Sequence, residues 1–136
     1  MLSVISKARQ IVTDSERAME ARADAIWIIT TGDKKFDSTR STIEALPEIS
    51  EAVNKRVPII FDSGIRNGQH VFKALALGAD IVALGRPVLY GLHLGGSKGV
   101  ESVLRHMKSE LENTMLLSGV KNLEELRKYA KVERYR

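Results

Sequence analysis

Four short apolar runs constrain the fold of this chain more than any other feature. They occupy residues 2–5, 25–29, 57–61 and 81–84, and they are rich in Ile, Val and Leu without alternating with polar residues. Such runs are typical of parallel strands that are covered on both faces. Segments of helical spacing separate them, so the sequence predicts the order β-α-β-α-β-α-β-α. This order favours an α/β fold with a parallel sheet and right-handed crossovers.

Local signals place the helices between these runs. Residues 13–16 and 41–44 each fit a capping box. Pro47 is expected in the first turn of a helix that runs to about Lys55, because an interior proline breaks a helix. Gly78 is expected to end a third helix and Gly119 a fourth. The apolar stripe of the fourth helix consists of Val100, Val103, Leu104, Met107, Leu111 and Met115.

Charge and composition narrow the possible partners. The net charge is +4, and residues 121–136 contribute six basic and three acidic side chains. We interpret this end as a basic helical tail from about residue 120, capped by Asn122, and expect no nucleic-acid partner. The chain has no cysteine, which excludes disulfides and thiolate sites. No signal peptide or membrane-spanning run is evident, so we expect a cytoplasmic protein without a membrane partner. With no linker composition along it, residues 1–136 are expected to form one domain.

Two of the expected strand ends carry residues suited to an anion. Ligands of parallel α/β proteins bind at the carboxyl ends of the strands. The third run is followed by Gly64 and Arg66, and the fourth by Gly85 and Arg86. Glycine lets main-chain N–H groups approach a ligand, and the guanidinium group matches phosphate oxygens. Ordinary turns with solvated arginines are the alternative, but two such loops at neighbouring strand ends favour a phosphate site.

Asp62 and Lys7 each allow two interpretations. Asp62 follows the third run, where it could accept hydrogen bonds from ligand hydroxyl groups, pair with Arg66, or cap the next helix. Lys7 follows the first run, where it is either a cation that contacts the ligand or a surface lysine. Spacing alone does not separate these alternatives.

Residues 57–96 resemble the C-terminal part of FMN-dependent α-hydroxy-acid oxidases, and the lactate oxidases in particular. The core of the resemblance is Asp-Ser-Gly-x-Arg at residues 62–66 and Leu-Gly-Arg-Pro at residues 84–87. Upstream, residues 4–7 and 24–27 resemble two strands of that family more loosely. In total the resemblance covers about residue 3 to residue 127.

The resemblance implies a fold, a cofactor and a set of site residues. The fold would be strands and helices 5 to 8 of a TIM barrel, which is its C-terminal half. The cofactor would be FMN, with Lys7 near the flavin ring and Asp62 on the ribityl chain. The remaining expected FMN-binding residues, of which the last four would hold the phosphate, are Ser63, Gly64, Arg66, Gly85 and Arg86.

The catalytic segment departs from the family pattern. The family has His-Gly-Gly-Arg-Gln after its sixth strand, whereas residues 31–35 here read Thr-Gly-Asp-Lys-Lys. In the family the histidine accepts the substrate proton and the arginine binds the substrate carboxylate. Thr31 has no basic group for the first task. Lys34 keeps the charge but loses the bidentate grip on a carboxylate. We therefore expect no intact catalytic residue.

Two functions follow as expectations. The first is a truncated lactate-oxidase-like protein, from a family that oxidises L-2-hydroxy acids such as lactate to pyruvate, which keeps mainly the FMN phosphate and ribityl site and lacks activity alone. The second is a non-catalytic FMN- or phosphate-binding half-barrel. Because a complete barrel needs about 200 residues or more, such a half would expose strand edges and pair with itself or with a complementary N-terminal fragment. A different phosphate-binding barrel enzyme is a weaker third option.

Overall fold

Strands and helices alternate along the chain as the sequence predicts. The computed structural model describes residues 4–8, 12–29, 41–130 and 132. Its strands pair in parallel in the order β1-β2-β3-β4, which confirms the predicted α/β sheet. In chain order the described elements are β1 (Ile5–Ala8), α1 (Val12–Glu20), β2 (Ala25–Ile28), α2 (Thr42–Val53), β3 (Ile59–Phe61), α3 (Gly68–Ala76), β4 (Ile81–Val82), α4 (Arg86–Leu117) and α5 (Leu123–Tyr129).

The two faces of the sheet differ in how far they are covered. One face packs against the helices and carries Ile26 and Ile28 of β2 and Ile59 and Phe61 of β3, which are all buried. Successive side chains of a strand point to opposite faces. The other face, which we call the inner face, therefore carries the residues that alternate with them, namely Ile5, Ala25, Trp27, Ile60 and Ile81. Ile5 is 51% exposed and Ile81 is 52% exposed, so the inner face is only partly covered by the described residues.

The main core lies between the sheet and α2. Phe61 of β3 and Leu46, Ile49 and Val53 of α2 are all at most 1% exposed. Burying an aliphatic or aromatic side chain of this size stabilises a fold by about 1.5–3 kcal/mol. The continuous apolar runs of the sequence are therefore explained by one face that packs on helices and a second face on which the residues of the runs are also apolar.

Pro47 is the clearest error of the sequence prediction. It lies inside α2, which begins at Thr42 rather than at the proline. The capping-box prediction for residues 41–44 is supported at this start, because Glu44 Oε2 accepts a hydrogen bond from the Ser41 main-chain N–H at 3.1 Å. An interior proline costs a helix about 3 kcal/mol. The apolar side chains that α2 buries in the core outweigh this cost; they are Ala45, Leu46, Ile49 and Val53.

Other boundaries shift by smaller amounts. The first strand comprises residues 5–8 and so continues beyond the predicted run of residues 2–5, of which residues 2 and 3 lie outside the described residues, and β4 has only two residues. The first helix begins at Val12, so Thr13 lies inside it rather than at its cap. Gly78 and Gly119 have φ values of +110° and +72°, and each follows a helix end as predicted. Positive φ is the conformation that glycine adopts without a steric penalty.

Helix α4 is longer than the predicted apolar stripe and has a kink. Non-helical φ and ψ angles at Gly95 and Gly96 divide it into residues 86–94 and residues 97–117. Met107 of the stripe is buried, but Leu104 is 48% exposed and was wrongly assigned to the buried face. The sequence prediction also missed the segment 86–94, although Pro87 in its first turn is a usual signal for a helix start.

The described part of the segment after residue 120 is packed rather than free. Asn122 caps α5 as predicted, because its Oδ1 accepts a hydrogen bond from the Glu125 N–H at 2.8 Å. Leu126 is completely buried in a second apolar cluster with Phe72 and Leu75 of α3. In the part of the chain that the structure describes, no helix is long and apolar enough to cross a membrane.

Candidate functional site

The loop that follows β3 is fixed by the carboxylate of Asp62. Its Oδ1 accepts a hydrogen bond from the Ser63 main-chain N–H at 2.6 Å, and its Oδ2 accepts one from Trp27 Nε1 at 3.2 Å. Asp62 thus ties β3 to β2. Of the alternatives drawn from the sequence, pairing with Arg66 and capping of α3 are not seen among the described contacts. The cap of α3 is Asn67, whose Oδ1 accepts from the His70 N–H at 3.0 Å.

The main chain turns sharply at the next two residues. Ser63 has φ +94° and Gly64 has φ +78°. Left-handed backbone costs a residue with a side chain about 1–2 kcal/mol, and strain of this kind is often found at ligand sites. A Cβ on Gly64 would meet nothing within 4 Å. The main chain at Gly64 is therefore open to the close approach of another group.

Part of this opening is a cavity of about 410 Å³ on the α2 side of the loop. Its wall contains the start of α2, including Thr42, whose buried Oγ1 has no hydrogen-bond partner in the structure as described. The cavity is therefore the physical reason why Gly64 has free space beside it. The residues that line it are Ser41, Thr42, Ile43, Phe61, Ser63, Gly64, Ile65, His70 and Lys73.

Most N–H groups at the start of α3 already have acceptors within the protein. The Arg66 N–H donates to His70 Nδ1 at 3.2 Å, and the Gly68 N–H donates to Glu110 Oε2 at 2.7 Å. The N–H groups of Gly64 and Ile65 have no acceptor among the described residues. Ile65 is only 4% exposed, and a buried N–H group requires a partner. An anion at this loop would therefore be bound by residues 64 and 65 rather than by the first turn of α3.

The loop after β4 offers a second pair of N–H groups. Those of Gly85 and Arg86 have no acceptor within the described parts of the chain, and a Cβ on Gly85 would meet nothing within 4 Å. Arg86 starts the short helical segment 86–94. The N-terminus of a helix favours anions, and a short extra helix after the last strand is a frequent phosphate-binding element in TIM barrels.

The parallel register brings the two loops to one edge of the sheet. Ile60 pairs with Ile81 and Phe61 with Val82, and the Ala83 N–H donates to the Phe61 carbonyl oxygen at 2.8 Å. Both strands therefore end side by side. The predicted residues 62–66 and 85–86 follow these two neighbouring ends.

Both arginines near these loops are exposed. Arg66 Nη1 donates a hydrogen bond to the Ile65 carbonyl oxygen at 2.8 Å. Neither Arg66 nor Arg86 forms an ion pair with any described carboxylate. Two uncompensated guanidinium groups and four free N–H groups form a donor set that suits a phosphate group. Among the described residues there is no cluster of His, Asp and Glu that could hold a metal ion.

Three predicted site residues cannot be compared with this geometry. Lys7 lies in β1 and pairs in register with Trp27, but its side chain is outside the described part of the structure. Thr31 and Lys34, at the positions of the family histidine and arginine, also lie outside the described residues.

Comparison with known proteins identifies the family. The chain matches the family model of FMN-dependent dehydrogenases over residues 2–132. L-lactate oxidase from Streptococcus iniae is 46% identical over 128 residues, which is 94% of this chain and 32% of the relative. L-lactate oxidase from Lactobacillus jensenii is 51% identical over 126 residues, which is 93% of this chain and 31% of the relative.

Solved structures agree with the sequence comparison. The structure of a Pediococcus acidilactici protein described as a lactate oxidase has a TM-score of 0.89 and is 50% identical. It covers 95% of this chain, and the match covers 36% of that protein. A mandelate oxidase variant solved with a monooxide FMN adduct has a TM-score of 0.86, is 36% identical, and matches 93% of this chain and 40% of its own.

These matches confirm the resemblance and the fold class inferred from the sequence. The four parallel βα units correspond to part of a TIM barrel, and the chain spans about a third of the length of the curated relatives that it matches. With a family model that matches nearly the whole chain, the chain belongs to the FMN-dependent dehydrogenase family.

Proposed function

We propose that this chain binds FMN, mainly through its phosphate group, and does not oxidise a 2-hydroxy acid by itself. The observation that carries the proposal is the pair of loops at the ends of β3 and β4, with unpaired main-chain N–H groups beside two exposed guanidinium groups. The family membership supports FMN as the ligand rather than another phosphate compound.

Each residue of the two loops has a distinct role in this proposal. Arg66 and Arg86 donate to phosphate oxygens, and Gly64 and Gly85 let the main chain approach the phosphate. The carboxylate of Asp62 accepts two protein hydrogen bonds and keeps further lone pairs for a ribityl hydroxyl group. Ser63 is the remaining motif residue, and Lys7 is assigned a position near the flavin ring, as the family resemblance implies. When bound, FMN supplies the hydride acceptor for the oxidation of a 2-hydroxy acid.

The loss of catalysis is proposed from the identity of two residues. Thr31 stands at the position of the family base, and its hydroxyl group does not take up a proton at neutral pH without an activating base. Lys34 stands at the position of the substrate-binding arginine, and its ammonium group is a point charge instead of a planar guanidinium group with two parallel donors. A substrate would therefore lack both a proton acceptor and a bidentate anchor.

Titration with FMN and with riboflavin tests the phosphate site, because riboflavin lacks the phosphate. Trp27 is the only tryptophan of the chain and lies beside Asp62, so quenching of its emission reports flavin binding. We expect FMN to bind at least tenfold more tightly than riboflavin. We expect Arg86→Gln to remove most of this preference. Its matched control is Arg105→Gln, since Arg105 is an exposed arginine of α4 that pairs with Glu101. Equal affinity for both flavins would refute the proposal.

The catalytic part of the proposal has its own experiment. We expect no bleaching of bound flavin by L-lactate under anaerobic conditions, and bleaching of the unaltered chain would contradict the proposed loss. A variant with the double substitution Thr31→His and Lys34→Arg is then mixed with an N-terminal fragment of a lactate oxidase. This experiment tests whether the residues at these two positions cause the loss of activity. Restored bleaching is the expected result.

A second candidate function is association through the inner face. Its support is the half-exposed Ile5 and Ile81 and the two outer strands, which have no further strand paired to them among the described residues. The partner is a second copy or a complementary half-barrel. We expect self-association in sedimentation velocity, and expect Ile81→Lys to weaken it more than Leu117→Lys, because Leu117 is 89% exposed on α4 and is not on that face. A monomer at all concentrations would contradict self-association.

The cytoplasmic location and the absence of nucleic-acid partners stay predictions.

A further inference from the structure

Glu110 of α4 joins two parts of the molecule that are far apart in sequence. Its Oε2 accepts a hydrogen bond from the main-chain N–H of Gly68, the first residue of α3, at 2.7 Å. The two residues are 42 positions apart. Gly68 is buried, and a Cβ on it would lie 2.5 Å from Glu110 Cβ and 2.6 Å from the Glu110 carbonyl carbon. The start of α3 therefore lies directly on the main chain of α4.

The carboxylate of Glu110 is held in one orientation. Its Oε1 lies 3.3 Å from His106 Nε2, one turn earlier in α4, while Oε2 accepts from Gly68. The side chain is 33% exposed. A carboxylate that accepts from the first turn of a helix forms a charge-assisted hydrogen bond and interacts favourably with the helix dipole. This contact is therefore one of the stronger polar contacts between α3 and α4.

The same helix carries the second loop of the proposed FMN site. Helix α4 begins at Arg86, directly after Gly85, and its first segment, residues 86–94, meets the segment that carries Glu110 at the close contact of Gly91 with Gly99. The loop of residues 62–67 is anchored at its start by the bond between Trp27 and Asp62, and it ends at Gly68 on Glu110. The position of one loop relative to the other is thus set at one end by the pairing of β3 with β4, and at the other end by Glu110 together with the contact between Gly91 and Gly99.

We propose that Glu110 is a positioning residue for the phosphate site, which holds the loop of residues 62–67 against α4 and so sets its spacing from Gly85 and Arg86. This inference rests on the proposed FMN binding. The alternative is a purely repulsive role, in which the negative charge of Glu110 near the site would weaken the binding of an anion. The two roles have opposite signs, because removal of the carboxylate weakens FMN binding in the first and tightens it in the second.

The test compares three variants of the full chain. Glu110→Ala removes the acceptor, and Glu110→Gln removes the charge but keeps an amide oxygen that can accept from Gly68. Glu112→Ala is the matched control, since Glu112 is an exposed carboxylate of the same helix that pairs only with Lys108 among the described residues. Two quantities are measured for each variant: the ratio of FMN to riboflavin affinity, and amide hydrogen exchange of residues 64–68.

We expect Glu110→Ala to lower the FMN-to-riboflavin ratio about tenfold, equivalent to about 1.4 kcal/mol, and to speed exchange of residues 64–68. We expect Glu110→Gln to recover most of both effects and Glu112→Ala to leave both unchanged. A general loss of stability would lower the affinity for both flavins together and leave their ratio unchanged, and that result would overturn the proposal. Unchanged exchange in Glu110→Ala, or tighter FMN binding, would also overturn it.

The failure of the proposed function is distinguishable from these results. If the unaltered chain does not prefer FMN to riboflavin, the FMN site itself is refuted, and with it a role of Glu110 toward FMN. The exchange data still decide whether Glu110 holds the loop on α4.

Discussion

The kink of α4 brings two glycines into main-chain contact. A Cβ on Gly99 would lie 2.8 Å from the carbonyl carbon of Gly91 and closer still to its oxygen. Both atoms belong to the main chain, so they cannot rotate away as the end of a side chain can. We therefore expect Gly99→Ala to push the segment 86–94, which begins at Arg86, away from the rest of α4.

The magnitude follows from this overlap. Favourable carbon–carbon contacts lie at about 3.5–4.0 Å, so the two parts of α4 must separate by roughly 1 Å. Overpacking of this kind costs about 1–3 kcal/mol, against which alanine gains up to about 1 kcal/mol in helix propensity. The net loss in the free energy of unfolding is about 1–2 kcal/mol. For a chain of this size that loss lowers Tm by roughly 3–7 °C.

Thermal and urea unfolding of Gly99→Ala and Lys98→Ala measure the effect. Lys98 is an exposed neighbour in the same helix, so its substitution is expected to change stability by less than about 0.5 kcal/mol. Because the segment carries Arg86, we also expect Gly99→Ala to lose affinity for FMN relative to riboflavin. Equal stability of the two variants would refute the close crossing of Gly91 and Gly99.

Three further substitutions test other parts of the structure. Trp27→Phe removes the N–H group that donates to Asp62, so urea unfolding is expected to show a free energy of unfolding lower by about 1–2 kcal/mol. An unchanged free energy of unfolding would mean that this hydrogen bond does not stabilise the sheet. Leu126→Ala creates a cavity in the cluster between α3 and α5 and is expected to lower the free energy of unfolding by about 2–5 kcal/mol. Its control, Leu117→Ala on the surface, is expected to lower it by less than about 0.5 kcal/mol, and equal effects would mean that α5 is not packed. Gly64→Ala is expected to lower the free energy of unfolding by about 1–2 kcal/mol, because residue 64 has a positive φ. It is also expected to reduce the ratio of FMN affinity to riboflavin affinity, and an unchanged ratio would mean that the phosphate does not approach this residue.

The sequence alone was sufficient for the order of the elements and for the family. The apolar runs indicate strands that are buried, and glycines such as Gly78 and Gly119 indicate a positive φ after a helix end. Both signals are local, so they can be recognised without knowledge of distant residues. The candidate phosphate loops were found in the same way. They follow neighbouring strands, and parallel strands necessarily bring their carboxyl ends to one edge. The helix segment 86–94 was missed, although Pro87 is a local signal for it.

Other features depend on contacts that no local pattern records. The start of α2 before Pro47 is decided by the burial of its side chains on the sheet, which outweighs the local preference of proline. The partner of Asp62 is Trp27, 35 residues away, because the register of β2 and β3 brings the two side chains together.

The relative placement of the two loops belongs to the tertiary structure as well. It depends on the crossing of α3 and α4, where Glu110 reaches Gly68, and on the crossing at Gly91 and Gly99. The residues at the strand ends and the family they belong to can therefore be read from the sequence. The main-chain N–H groups that remain free for an anion can be identified only in the folded chain, because the acceptors that bind the other N–H groups come from residues far away in the sequence.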